Sequence, residues 1–224
     1  MYRHHWYRRY CTAVALLAVL LGLSATAGTA AAAKASHPIA QKTIVVLGDS
    51  LSSEYGLKRG SGWVALLEQK LKTENLNASV VNASISGDTT SGGRARLDAL
   101  LAQRPTHVII ELGGNDALRG LPLVLTQDNL TAMTQTAQRA GARVLLIGMQ
   151  VPPNYGRDYG TRFAALFASV AKSNRAALVP FLLKGIADRP DSTQLFQADR
   201  IHPKEEAQPL MLANVWPELK KLLP

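Results

Sequence analysis

The chain has 224 residues, a formal charge of +9 and 18% charged residues. That length is ample for one hydrophobic core and short for two domains. A single cysteine excludes a disulfide framework, and no run of lysine and arginine is dense enough to mark a nucleic-acid partner.

The first segment reads as a secretory signal peptide over residues 1–33. Residues 2–10 carry Arg3, Arg8 and Arg9 and no acid, and Cys11 to Leu23 are uncharged and apolar. Small residues follow, with Ala25-Thr26-Ala27 as an A-x-A-like site, so cleavage is expected between 27 and 33. The apolar run is short for a membrane span of about 20 residues. Residues 34–224 are then a single exported domain, periplasmic or secreted. Removing the three leader arginines leaves a formal charge of +6, and the only cysteine goes with them. The positive balance suits phospholipid headgroups or acidic thioesters, although ordinary solubility accounts for it more readily.

The mature chain alternates strand and helix signals. Continuous apolar runs stand at 43–48, 78–84, 106–113, 142–149 and 176–183. Such runs fit strands buried on both faces of a parallel sheet. Helical patterns lie between them, from Trp63 to Thr73, Arg94 to Gln103, Gln127 to Ala140 and Thr161 to Asn174. A last one, Glu205 to Leu223, is expected to break at Pro209 and Pro217. The alternation predicts an α/β fold: a three-layer α/β/α sandwich around about five parallel strands. Chemistry in such sheets gathers at the carboxyl ends of the strands.

Three of those ends carry candidate groups. The first strand closes at Gly48 and is followed by Asp49 and Ser50. Ser50 is a candidate nucleophile at a helix start, or merely a helix cap. After the second strand, Gly87 either offers its backbone N–H to a close ligand or serves a flexible turn. After the third, Asn115 can donate a side-chain hydrogen bond to a developing oxyanion, or be a turn residue. Glu111 is expected to find a buried partner or to point toward the loop, and Asp116 to tie the loop down. Near the carboxyl terminus, Asp199 and His202 stand three positions apart. They fit two metal ligands, an ion pair before a helix, or the orienting half of a triad.

Taken together, "GDSLS" at 48–52, "SGDTTSGG" at 86–93, "GGND" at 113–116 and "DRIHP" at 199–203 resemble the SGNH, or GDSL-motif, hydrolase family. The resemblance runs from Thr43 to about Trp216. Further stretches at 111–120, 152–159 and 207–211 are similar to its periplasmic multifunctional thioesterase, protease, lysophospholipase and arylesterase branch. The resemblance implies the flavodoxin-like fold of that family. It also implies Ser50 as nucleophile, His202 as general base and Asp199 as its orienting partner. The oxyanion hole carries over as the N–H of Ser50, the N–H of Gly87 and the side-chain amide of Asn115. The implied substrates are small-molecule acyl esters, thioesters or lysolipids, met by a monomer with at most transient membrane-surface contact.

No cofactor or metal is expected. A zinc site built on Asp199 and His202 lacks a third ligand, since His37 lies in the terminal segment and His107 opens a strand. Alternatives on the same site are a carbohydrate O-deacetylase and a non-catalytic anion-binding module. Arg200 is read as a contact for an anionic headgroup or a solvated side chain. Leu118, Leu121, Pro122, Leu123 and Val124 could border an acyl channel whose other wall is 149–156, or simply pack their loop.

Overall fold

The computed structural model describes residues 41–223; the expected signal peptide and His37 lie outside them. Five strands form one sheet: β1 (Lys42–Gly48), β2 (Ala78–Asn82), β3 (His107–Glu111), β4 (Arg143–Ile147) and β5 (Ala177–Val179). Their order is β2-β1-β3-β4-β5, with every pairing parallel. The central β1, β3 and β4 are buried almost throughout, whereas β2 and β5 are half-buried edges. That is the pattern the continuous apolar runs require.

Helices cover both faces. α1 (Trp63–Thr73) packs against α6 (Gln208–Leu222). α2 (Thr90–Leu101), α4 (Leu123–Arg139) and α5 (Arg157–Asn174) pack in series. The short α3 (Gly114–Leu118) occupies the "GGND" segment. Right-handed crossovers account for the division. The chain leaves β1 in one direction toward β2, then returns past β1 to reach β3, so α2, α4 and α5 fall on the other face, and α6, which follows the last strand, comes back to pack beside α1. The same reversal opens a crevice at the carboxyl ends of β1 and β3, and the site lies there.

Three expectations are corrected. α2 starts at Thr90 rather than Arg94, because the Thr89 side chain accepts the Gly92 N–H and caps the helix earlier. Ser50 opens a run of turns rather than a regular helix, although the Ser53 N–H does reach the Asp49 carbonyl at 3.0 Å. The last helix does not break at its prolines. Pro209 falls in the first turn of α6, where its missing N–H has no partner to lose. Pro217 lies inside the helix, and a buried stripe of Met211, Val215 and Leu219 holds α6 on the sheet across the lost bond.

Candidate active site

The fold brings the first and last motif blocks together. Ser50 follows β1, and its Oγ lies 2.8 Å from His202 Nε2 across 152 positions of chain. His202 Nδ1 lies 2.7 Å from Asp199 Oδ2. An ionised carboxylate only accepts, so Nδ1 carries the proton, and the neutral ring's Nε2 is left to accept from the Ser50 hydroxyl. The Asp-x-x-His segment is closed on itself by an antiparallel bridge between Phe196 and Pro203. At its tip, Asp199 Oδ1 accepts the N–H groups of Ile201 and His202 at 2.9 and 3.0 Å. Partial burial would raise the Asp199 carboxyl, but the hydrogen bonds from His202 and Ile201 outweigh it and bring it to about 2. Arg200, between them, takes a left-handed backbone with φ 60°, which the tight turn imposes. The Tyr55 ring leans on the imidazole, with centroids 4.4 Å apart.

The second and third blocks converge on the same crevice. Gly87 has φ +80°, a region where only glycine is unstrained. Asn115 sits at the start of α3, and its Nδ2 donates to Asp49 Oδ2 at 3.0 Å and to the Asp88 carbonyl at 2.9 Å. Both amide hydrogens are therefore engaged. A third acceptor on Nδ2 must share one of them or displace one contact. Arg96 staples the surrounding loops: Nε pairs with Asp88 Oδ2 at 2.8 Å, Nη1 donates to the Ala83 carbonyl, and Nη2 donates to the Gly48 carbonyl at 3.3 Å. Ser53 and Ser86 hydroxyls meet at 2.8 Å across the same junction.

Beneath the serine lies a pair of buried carboxyls that spacing along the chain does not announce. The parallel register sets Gly48 beside Glu111. Glu111 Oε2 accepts the Ser52 hydroxyl at 2.7 Å and the Asp49 N–H at 3.3 Å. Trp63 Nε1 in turn donates to Ser52 Oγ at 3.2 Å. Any side chain at Gly48 would collide with Ser52 and Ser84, so the strand end admits only glycine. Glu111 Oε1 is buried without a partner. Burial, and then the neighbouring Asp49 charge, push Glu111 well above the carboxylate range. Burial likewise pushes Asp49 up to about 6, against lowering hydrogen bonds from Leu51, Glu111 and Asn115. A neutral Glu111 avoids an unpaired charge in the core and stays an acceptor for the serine turn.

Other expected residues fall outside the reacting line. Asp116 is buried and ties the loop down, as expected, by accepting from the Thr90 N–H and from the hydroxyls of Thr90 and Thr126. His107 is buried away from the site, between Thr106 Oγ1 and the Leu222 carbonyl. The segment after β4 and the start of α5 line a cavity of about 570 Å³ that includes Val151, Pro152 and Arg157. None of residues 118–124 lines it, so it is not the expected two-walled acyl channel.

Similarity to known proteins bears on this constellation. Residues 46–209 match the model of the GDSL-like Lipase/Acylhydrolase family. The chain belongs to this family. It is 51% identical over 185 residues to esterase TesA of Pseudomonas aeruginosa, covering 82% of this chain and 90% of that protein. It is 41% identical to thioesterase 1/protease 1/lysophospholipase L1 of Escherichia coli, covering 82% and 86%. Among solved structures, TesA superposes with a TM-score of 0.78 at 51% identity, over 81% of this chain and all of that one. The psychrotrophic esterase EstA from Pseudoalteromonas, inhibited by monoethylphosphonate, gives 0.76 at 43%, over 82% and 99%. This member of the GDSL-like family is thus a GDSL-type serine hydrolase whose general reaction is acyl ester hydrolysis.

Proposed function

We propose that the enzyme hydrolyses acyl esters and thioesters, lysophospholipids among them, through an acyl-enzyme on Ser50. The observation that carries this reading is the hydrogen-bonded line Ser50–His202–Asp199, with distances of 2.8 and 2.7 Å. His202 Nε2 takes the hydroxyl proton as Ser50 Oγ attacks the acyl carbon. Asp199, held low by its hydrogen bonds, stays ionised and favours the imidazolium. The oxyanion accepts from the N–H of Ser50, the N–H of Gly87 and the Asn115 amide, which shares its Asp88 bond at that moment. Collapse returns the proton from His202 to the leaving alcohol or thiol. Water then repeats the sequence on the acyl-enzyme and releases the acid. The names of the two relatives, an esterase and a thioesterase/lysophospholipase, support this substrate class.

The same proposal places the work outside the cytoplasm, with residues 1–33 as the signal peptide. Amino-terminal sequencing of protein from the periplasmic fraction tests that part; a first residue before 27 contradicts it. The reaction is tested with p-nitrophenyl esters and acyl-CoAs of graded length, with and without exhaustive chelation. Hydrolysis survives chelation, and Ser50→Ala and His202→Ala each lose about 10⁴-fold or more with unchanged circular dichroism. Near-normal turnover by purified Ser50→Ala removes the nucleophile assignment.

A further inference from the structure

We infer that Arg119 selects substrates bearing a phosphate one glycerol unit away from the scissile acyl carbonyl. The inference rests on the reading above, in which Ser50 and Gly87 frame that carbonyl. Arg119 follows α3, and its Nη2 donates to the Gly87 carbonyl at 2.7 Å. The side of Gly87 on which a side chain would project is open, and the Arg119 Nη2, at 3.8 Å, is what lies nearest there. The amide and carbonyl of one residue are close together, so the guanidinium lies within roughly 6 Å of the Gly87 N–H. A phosphomonoester on a glycerol spacer bridges that gap. The phosphates of an acyl-CoA lie a whole pantetheine arm away and do not.

Charge and surroundings support the same ligand. Arg119, like Arg59, Arg157 and Arg200, forms no ion pair among the described residues, but its guanidinium is held beside Gly87. It is exposed, and only part of its planar fork is used on Gly87, leaving donors suited to a phosphate. Ile85, two residues before Gly87, and Leu118, just before Arg119, are exposed at 53% and 47%. An unneutralised guanidinium flanked by exposed apolar side chains fits a molecule that is acyl at one end and anionic at the other.

The test compares kcat/KM for monooctanoyl glycerol and for its phosphate monoester, both below their aggregation concentrations. The loop contact with Gly87 is lost for either substrate in Arg119→Gln, so the ratio of the two values is the readout. Wild type prefers the phosphate ester at low ionic strength. Arg119→Gln lowers that preference about tenfold, and Arg119→Lys, which keeps the charge without the fork, lowers it less. Octanoyl-CoA falls only as far as the neutral glyceride. An unchanged ratio, through equal falls or through none, overturns the inference and leaves Arg119 as a loop anchor. Absence of any preference in wild type overturns it too. If Arg119→Gln fails to fold, a salt titration of the wild-type ratio decides: the preference shrinks with salt, and a salt-independent ratio contradicts the inference. Ser50→Ala serves as control, since residual hydrolysis there undoes the nucleophile assignment instead.

Discussion

At the scale of single residues, Asn115 makes the sharpest claim. Its amide is already shared between Asp49 Oδ2 and the Asp88 carbonyl, so it is rigidly aimed before substrate arrives. The side chain is held in place, so the amide has only to share its Asp88 hydrogen bond with the oxyanion, and a positioned donor helps most where charge develops. Asn115→Ala is therefore expected to lower kcat by about 10²–10³ while moving KM little. It also strips Asp49 of a buried donor, so the melting temperature falls as well. A stably folded variant with wild-type kcat and a tenfold higher KM would show that Asn115 only binds substrate. Ser50, Gly87, Asn115, Asp199 and His202 are legible in the sequence as candidates because four short motifs carry them. The sequence could not reveal that both Asn115 hydrogens are occupied, since Asp49 and Asp88 reach the amide only once β1, β2 and β3 are aligned.

At the scale of elements, strand pairing does what spacing cannot announce. Five apolar runs were enough to read a parallel α/β sheet, because central strands buried on both faces need little else. Helix ends were less legible: Thr89 capping lengthens α2, and tertiary packing carries α6 through Pro217. The carboxyl pair was hidden for a related reason. Glu111 closes β3 and Asp49 follows β1, and only the Gly48–Glu111 register brings them side by side. If Glu111 serves as a neutral acceptor, Glu111→Gln keeps the Ser52 and Asp49 contacts through its amide oxygen and stays close to wild type in stability and kcat. Glu111→Leu removes both contacts from buried donors and is expected to cost about 2–4 kcal/mol. Chemical denaturation of the pair checks this. A Glu111→Gln protein as unstable as Glu111→Leu would mean that the carboxylate charge itself holds the serine turn.

At the scale of the whole molecule, two kinds of buried group tilt stability against pH in opposite directions. Burial lowers the His107 pKa, so below its ordinary value of 6.5 the unfolded chain takes up a proton that the folded one refuses. Stability from this group is lost as pH falls below about 6.5. Asp49 is raised from 3.8 to about 6, so the folded chain binds the extra proton and stability declines as pH rises across that interval. Replacing His107 by Gln separates the two. The stability of the variant relative to wild type should improve as pH drops from about 7 to about 5; a pH-independent difference would mean that His107 is not held neutral in the fold. The central claim, though, is that the fold arms Ser50 through His202. Its most direct measurement is the mass and position of the adduct formed with a fluorophosphonate. One equivalent should add to wild type, on the peptide containing Ser50, and labelling of His202→Ala should be slower by orders of magnitude. Labelling that lands on another residue, or that proceeds at the same rate without His202, would contradict the account.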